Sequence, residues 1–187
     1  LGVMGWGDML YHLKLPYNSE KAIGLAGTVM ELINSEAIKA SREIAHRKGA
    51  FPNFDKSIYF DKNIFDVPRA NAAVTSIAPT GTISIIADAS SSIEPIFGLA
   101  YRETALDGKQ MRMVNPVFLE ELRKRNLYSE ELLREIEANK GSIQNLSLPD
   151  DLRKVFVVAH DISTEYHVGM QAAFQKHIEQ SVSKTIN

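Results

Sequence analysis

The chain contains no cysteine among its 187 residues. Without a thiol it can form no disulfide bond, no cysteine-ligated zinc site and no thiol nucleophile of its own. Disulfide bonds are rare in reducing compartments, so their absence agrees with a cytoplasmic protein, and we expect that location.

Long apolar runs are missing as well. No stretch of the sequence approaches the roughly 20 apolar residues that a helix needs to span a bilayer, so we expect no membrane segment. The first residues, Leu1 to Met4, carry no positively charged leader and no cleavage site, which argues against a signal peptide. Because the sequence does not begin with Met and its last residues, Lys184 to Asn187, contain no helix stop, we expect both ends to continue in a longer chain.

A strong charge of either sign is the third absence. Lysine and arginine number 21 against 23 aspartates and glutamates, which leaves a formal net charge of −2. The longest basic run, Arg123 to Arg125, is typical of a solvated helix face, so we expect no nucleic-acid partner. Apolar residues make up 44% of a chain that is long enough for one hydrophobic core, which indicates a single globular domain.

The most informative segment that is present spans residues 77–97. An apolar run from Val74 to Ala78 stops at Pro79, and a small hydroxylated turn, Thr80 to Ser84, precedes a second apolar run. Such a turn exposes backbone N–H groups and hydroxyls, and a helix that begins at Thr82 directs its positive end into the same space, which suits a phosphate. We favour the helix, although a strand, turn and strand is the alternative that a Pro-Thr-Gly turn serves equally well.

Periodicity over the rest of the chain predicts mostly helices with a few strands. The predicted helices span residues 3–14, 18–49, 117–126 and 162–182, with two more that begin at Ser129 and Pro149 and one from Thr82 to Ala87. The predicted strands are Ala72 to Ala78 and a hairpin, Phe97 to Arg102 and Gln110 to Val114, around the turn residues Asp107 and Gly108. The fold class is therefore α/β with a helical majority.

Further segments match one enzyme family in their amino-acid sequence and in their order along the chain. They are Gly2 to Leu10, Ala37 to Pro52, Val114 to Phe118, Gln171 to Gln175 and Ser183 to Asn187. Together with Ile77 to Phe97 they resemble the large (catalytic) subunit of ribonucleotide reductase in its adenosylcobalamin-dependent, class II form. The hydroxylated turn resembles the phosphate-binding loop of that family.

The resemblance implies a fold, a reaction and a role for this chain. The fold is the C-terminal part of a ten-stranded α/β barrel, with residues 1–187 as a single partial domain. The whole enzyme makes deoxyribonucleotides from ribonucleoside di- or triphosphates by thiyl-radical chemistry, uses adenosylcobalamin as its cofactor and forms a homodimer. Because this chain lacks the cysteines of the family, the resemblance implies that it works with the rest of the reductase chain and is inactive when isolated.

Site residues follow from the same resemblance. By match to the family, Pro79, Thr80, Gly81, Thr82 and Ser84 hold the diphosphate of the substrate. No catalytic residue is assigned to this chain. The five histidines show no metal-ligand spacing, so we also assign no metal site.

Two residues beyond the turn bear on its geometry. Ser92 stands where the family usually shows a glycine, and a glycine there would allow a positive φ or a close backbone approach. Glu94 is a carboxylate of a catalytic type, but the catalytic glutamate of the family lies upstream of this chain. We therefore expect Glu94 to hold a loop in place.

Two other interpretations stay open from the sequence. One is a non-catalytic nucleotide- or phosphate-binding module, such as a split-gene product that needs a partner chain. The other is a structural helical domain whose turn binds nothing. In the reductase interpretation, part of a barrel leaves edge strands and an apolar face uncovered, so we expect the isolated chain to self-associate or to be marginally stable.

Overall fold

Helices make up most of the regular secondary structure in this computed structural model, which describes residues 1–60, 68–104 and 110–186. The helices are α1 (Trp6–His12), α2 (Glu20–Lys48), α3 (Gly81–Ile86), α4 (Pro116–Lys124), α5 (Glu130–Ala138), α6 (Asp150–Val155) and α7 (Thr164–Gln175). The other described elements are the strands β1 (Ala100–Thr104) and β2 (Gln110–Val114) and two 3-10 turns, Phe54–Lys56 and Ala159–Asp161. None of the helices described is both long and apolar enough to cross a bilayer.

Side-chain caps fix where three of the helices begin. Ser19 at α2 and Ser129 at α5 each accept a hydrogen bond from the backbone N–H three residues later, at 3.2 and 3.0 Å. Asn115 does the same at α4, where Pro116 takes the first helical position and loses no hydrogen bond. Short polar side chains satisfy N–H groups that have no carbonyl partner in the helix. The predicted cap Ser129 is therefore confirmed, and of the two residues that could cap α2, Asn18 and Ser19, the structure uses Ser19.

The first of two hydrophobic cores lies between α2 and α7. The buried face of α2 is built from small residues such as Ala22, which let α7 approach closely. Trp6 of α1 packs edge-on against Phe174 of α7, with 5.0 Å between the ring centroids. Ile77 and Ile93 belong to the same core, so the chain is anchored on both sides of the hydroxylated turn.

The second core lies under the β-hairpin and the helices α4, α5 and α6. Its most deeply buried side chains are Leu99, Phe118, Leu122, Ile136, Ile143 and Leu152. Strands β1 and β2 pair antiparallel, with Ala100 opposite Val114. The predicted hairpin is confirmed, although its turn, residues 105–109, lies outside the described part of the chain.

Three extended segments, residues 1–3, 74–77 and 180–183, lie side by side. Ile77 exchanges hydrogen bonds of 3.0 and 2.9 Å with the backbone of the third segment, in the parallel pattern. Leu1 exchanges bonds of 2.6 and 2.8 Å with the backbone of the second segment, again in the parallel pattern. Since all three segments run in the same direction, their carboxyl ends meet at one edge.

The predicted strand from Ala72 to Ala78 is wrong, because the segment forms no regular strand. The segment is extended, but its ladder amounts to an isolated parallel bridge between Ile77 and Val182. The hydroxyl of Thr75 donates to Asn34 Oδ1 at 2.7 Å and accepts from Glu179 N at 3.1 Å. Side-chain hydrogen bonds therefore hold part of this segment. The segment is therefore extended and paired in part, but it forms no regular strand in the described structure.

The last helix is shorter than the predicted range, residues 162–182. Helix α7 spans only Thr164–Gln175, residues 176–177 form a turn, and residues 180–183 pair with the second segment. The side chain of Gln175 ends the helix by donating to Gln180 O at 2.8 Å and accepting from Val182 N at 3.2 Å. Apolar spacing continues beyond the helix, but pairing with a distant segment overrides it.

Candidate functional site

The hydroxylated turn follows the second extended segment at the shared carboxyl edge. The chain leaves that segment after Ile77, passes Pro79 and begins α3 at Gly81. The first segment leads into α1 at the same edge, and the third segment ends there at Lys184. In parallel α/β structures ligands bind at this edge. The predicted helix is confirmed, and the alternative of a strand, turn and strand is wrong.

The amino end of α3 presents backbone N–H groups to open space. Thr80 adopts the left-handed conformation with a φ of 55°, and no side chain of the described residues caps the helix. The N–H groups of the first turn, residues 81–83, therefore have no carbonyl partner within the helix. A Cβ placed on Gly81 would meet no described atom within 4 Å. An anion there would find free donors and the positive end of the helix.

The predicted phosphate residues differ in their exposure. Pro79, Gly81 and Thr82 are exposed, and Thr80 is half-buried. Ser84 is buried, with 2% of its surface accessible. The residues that face open space are therefore Pro79, Gly81 and Thr82, with Thr80 partly exposed, whereas Ser84 lies behind them.

Internal hydrogen bonds hold the turn in this conformation. Thr80 Oγ1 accepts a bond from Ser92 N at 2.7 Å, which leaves its hydroxyl proton available to a ligand. Ser84 Oγ donates to Gly81 O at 2.9 Å and lies 2.9 Å from Ser91 Oγ. Ser84 thus braces the turn from inside, a role that the sequence interpretation did not give it.

An open cleft of about 660 Å³ runs beside α3 toward the hairpin. Its charged lining side chains are Asp8, Asp88 and Glu94, and no lysine or arginine lines it in the described part of the chain. Carboxylates repel a phosphate, so the cleft itself does not suit an anion, whereas the amino end of α3 does. These carboxylates form no metal site, because the described residues include no group of three or more possible ligands.

Asp8 of α1 joins the loop after α3 to the start of α4, and sequence reasoning missed it. One carboxylate oxygen of Asp8 accepts from Ser90 N at 2.6 Å, and the other accepts from Asn115 Nδ2 at 3.3 Å. Ser90 Oγ in turn accepts from Asp8 N at 3.3 Å. The sequence signal was only an acidic residue in the first turn of a helix, which is typical of many helices without such contacts.

Glu94 joins the loop after α3 to the end of the third extended segment. Its Oε2 accepts from Lys184 Nζ at 2.5 Å, and its Oε1 accepts from Thr185 N at 2.7 Å. The side chain of Lys184 is fully buried. The expectation that Glu94 holds a loop in place is therefore confirmed.

A buried histidine completes this cluster. His167 Nδ1 lies 3.1 Å from Lys184 Nζ, and Nε2 lies 3.2 Å from Ala159 O. Burial lowers the pKa of His167, and the neighbouring ammonium lowers it further. The network assigns a neutral imidazole that donates through Nε2 and accepts through Nδ1.

Ser92 has the backbone conformation for which a glycine is suited. Its φ is 50°, in the left-handed region, and the residue is completely buried. Its hydroxyl has no hydrogen-bond partner in the described structure. The departure from the family's glycine therefore leaves a strained backbone and an unsatisfied buried hydroxyl next to the turn.

Comparison with known proteins identifies related chains. The family model described as ribonucleotide reductase, barrel domain, matches residues 1–69 and 63–187. The vitamin B12-dependent ribonucleoside-diphosphate reductase of Thermoplasma acidophilum is 46% identical over 187 residues, which are 100% of this chain and 24% of that protein. The protein of the same description from Mycobacterium tuberculosis is 44% identical over 188 residues, which are 100% of this chain and 26% of that protein.

A solved structure shows the same relationship. The class Id ribonucleotide reductase alpha subunit of Actinobacillus ureae matches with a TM-score of 0.79 and 29% sequence identity, over 96% of this chain and 31% of that chain. This chain thus spans about a quarter of the curated relatives it matches. The fold and the family match, which together cover residues 1–187, indicate the same family. The chain belongs to the ribonucleotide reductase barrel-domain family.

Proposed function

We propose that this chain is part of a ribonucleoside-diphosphate reductase, which makes deoxyribonucleotides by thiyl-radical chemistry, and that it supplies the substrate phosphate-binding loop. The observation that carries the proposal is the uncapped amino end of α3, which lies at the carboxyl edge of the extended segments in a chain of this family. The relatives at 46% and 44% identity are named as diphosphate reductases, which favours a diphosphate substrate.

In this proposal the chain binds and orients the substrate. The N–H groups of Gly81 and Thr82 donate to phosphate oxygens, and the hydroxyls of Thr80 and Thr82 add further donors. Pro79 sets the direction in which the chain enters the turn, and Ser84 braces it from inside. Holding the phosphates fixes the position of the sugar, so remote binding contributes to the rate without contact at the bond that breaks.

The cofactor of the whole enzyme is also a proposal. Both curated relatives described above are named vitamin B12-dependent, which supports adenosylcobalamin as the source of the radical in the full-length protein. The described residues do not by themselves fit that group, because the cleft beside α3 is open to solvent and acidic. We therefore assign no residue of this chain to the cofactor and route no step through it.

The partners follow from the same family membership. We propose that residues 1–187 are one part of a larger catalytic domain, that the rest of the reductase chain completes it, and that the whole enzyme is a cytoplasmic homodimer. The alternative, a non-catalytic phosphate-binding module that needs a partner chain, uses the same turn. No observation on the described residues favours it over the reductase.

The test is a calorimetric titration of the chain with cytidine 5′-diphosphate, with cytidine as the probe that lacks phosphate. A Gly81→Glu variant places a carboxylate in the open space at the end of α3, where no described atom lies within 4 Å of the new Cβ. A like charge near the phosphates should weaken diphosphate binding about tenfold or more.

The matched control is Gly24→Glu, because Gly24 is exposed on α2 and also has no described atom within 4 Å of a Cβ. We expect the control to bind the diphosphate like the unchanged chain, and cytidine to give no heat with any of them. Equal diphosphate affinity for Gly81→Glu and Gly24→Glu would remove the turn from the binding site.

A further inference from the structure

The carboxylate of Glu94 accepts hydrogen bonds from two groups that directly follow the third extended segment, one at each oxygen. Oε2 takes the ammonium of Lys184 at 2.5 Å, and Oε1 takes the backbone N–H of Thr185 at 2.7 Å. A bidentate contact of this kind fixes both the distance and the angle between the two parts of the chain that it joins.

The ammonium at the centre of this contact has all three of its protons engaged. Besides Glu94, Lys184 Nζ reaches His167 Nδ1 at 3.1 Å and Thr185 O at 2.8 Å. Its side chain is fully buried, and a buried ammonium without a partner is strongly unfavourable. The hydrogen bonds of this ammonium therefore fix the chain around Lys184, and Glu94 supplies one of them.

Backbone and hydroxyl bonds connect Glu94 to the phosphate loop. Glu94 N donates to Ser91 O at 3.0 Å, and Ser91 Oγ lies 2.9 Å from Ser84 Oγ. The adjacent Ser92 N donates to Thr80 Oγ1 at 2.7 Å. A displacement of Glu94 would therefore move Ser91 and Ser92, which hold Ser84 and Thr80 of the turn.

The opposite side of this connection is also anchored. Tyr17 OH donates to Ile93 O at 2.7 Å, and its ring lies 5.9 Å from Lys184 Nζ. Tyr17 and Ile93 are almost completely buried in the first core. The loop between Ser91 and Glu94 is thus held between a packed core and the buried lysine.

We propose that Glu94 is a positioning residue for the phosphate loop: through Lys184 and Thr185 it fixes the loop that braces Thr80 and Ser84. The proposal rests on the proposed function, since it assigns Glu94 a part in substrate binding. Glu94 does not contact the substrate in this account and takes no part in the chemistry.

The variant that tests it is Glu94→Gln in the 187-residue chain. The amide keeps an oxygen for Thr185 N but removes the counter-charge of Lys184. We expect the affinity for cytidine 5′-diphosphate to fall about 3- to 30-fold, the range for residues coupled to a site without touching its ligand. The amide NMR signals of Gly81 and Thr82 should shift, and hydrogen exchange at Ser92 N should become faster.

The matched control is Glu36→Gln, which breaks an exposed glutamate–lysine pair of the same 2.5 Å length on α2. The control should leave diphosphate affinity and the signals of the turn unchanged. If Glu94→Gln fails to fold, the double variant Glu94→Gln/Lys184→Met decides, because it removes both charges and leaves no buried ammonium unpaired.

Unchanged diphosphate affinity and unchanged Gly81 and Thr82 signals in the folded Glu94 variant would overturn the proposal, even if the variant unfolds at a lower temperature. That result would make Glu94 a purely structural residue. If the unchanged chain does not bind the diphosphate, the proposed function fails instead. The amide signals of the unliganded turn then decide whether Glu94 positions it.

Discussion

Thr80 in the hydroxylated turn and Ser92 in the loop after α3 both adopt the left-handed conformation. Their φ angles are 55° and 50°, and neither residue is a glycine. Each such residue costs free energy, because its Cβ crowds the backbone. The hydrogen bond from Ser92 N to Thr80 Oγ1 joins the two strained residues directly, so one contact helps to hold both.

The first prediction at the residue scale is that Ser92→Gly stabilises the chain. Glycine accepts a positive φ, and its introduction removes a buried hydroxyl that has no partner in the described structure. We expect the free energy of unfolding to rise by about 1–3 kcal/mol. Urea unfolding followed by far-ultraviolet circular dichroism measures the change.

The control for this variant is Ser35→Gly, which lies inside α2. There the same substitution should lower the free energy of unfolding by about 0.5–1 kcal/mol, because glycine loses more backbone entropy in a helix. A Ser92→Gly variant no more stable than the unchanged chain would show that neither the backbone strain nor the buried hydroxyl matters.

At the scale of elements, the contact between the end of α5 and the hairpin depends on two glycines. Gly141 has a φ of 81°, and its carbonyl accepts from Leu99 N at 2.9 Å, just before β1 begins. A Cβ on Gly141 would lie 2.6 Å from the Cα of Gly98. The backbones of the two elements therefore meet without room for a side chain.

We predict that Gly141→Ala lowers the free energy of unfolding by about 2–5 kcal/mol, from left-handed strain together with overpacking. Gly24→Ala is the control, since it adds the same methyl group at an exposed position inside α2 with no described atom nearby. That variant should be more stable by up to about 1 kcal/mol. Urea denaturation measures the free energy of unfolding of both variants. An equal decrease in both would contradict the close approach of Gly141 and Gly98.

Local signals in the sequence predicted the elements wherever neighbours in the chain decide them. Ser19 and Ser129 cap helices as expected, and the hairpin pairs where the turn residues 107–108 indicate. The end of α7 was missed because residues 176–182 keep an apolar spacing while pairing with a segment about 100 residues away. A periodicity window contains no information on that partner.

The site shows the same limit. The turn from Pro79 to Ser84 was predicted, because its residue types carry their chemistry locally. Asp8 and Lys184 were missed as parts of the site, since their partners Ser90 and Glu94 lie 82 and 90 residues away in the chain. Neither residue has a local motif that predicts its partner, so only the fold reveals the contact.

At the scale of the whole molecule, large apolar side chains lie exposed in and after α3. Ile85, Ile86 and Phe97 are 79%, 80% and 63% exposed. Exposed apolar surface favours association in water. We predict that the isolated chain self-associates, with sedimentation coefficients that rise with protein concentration.

An Ile85→Ser/Ile86→Ser variant should shift that equilibrium toward the monomer, because it removes two of the most exposed apolar side chains. A matched control is Leu32→Ser on α2, where the leucine is 61% exposed. A chain that sediments as a monomer at all concentrations would contradict the prediction.

The central extended segment, residues 74–77, is paired on one side with the start of the chain and on the other with its end. The bonds that close these pairings, Leu1 N to Val74 O and Ile77 N to Ser181 O, span 73 and 104 residues. Loop-closure entropy rises only as the logarithm of loop length, by about 0.6 kcal/mol for each doubling, so the pairings cost little stability. They do raise the contact order, which slows folding. The edge that carries the hydroxylated turn is thus formed by segments that lie about 70 to 100 residues apart in the chain.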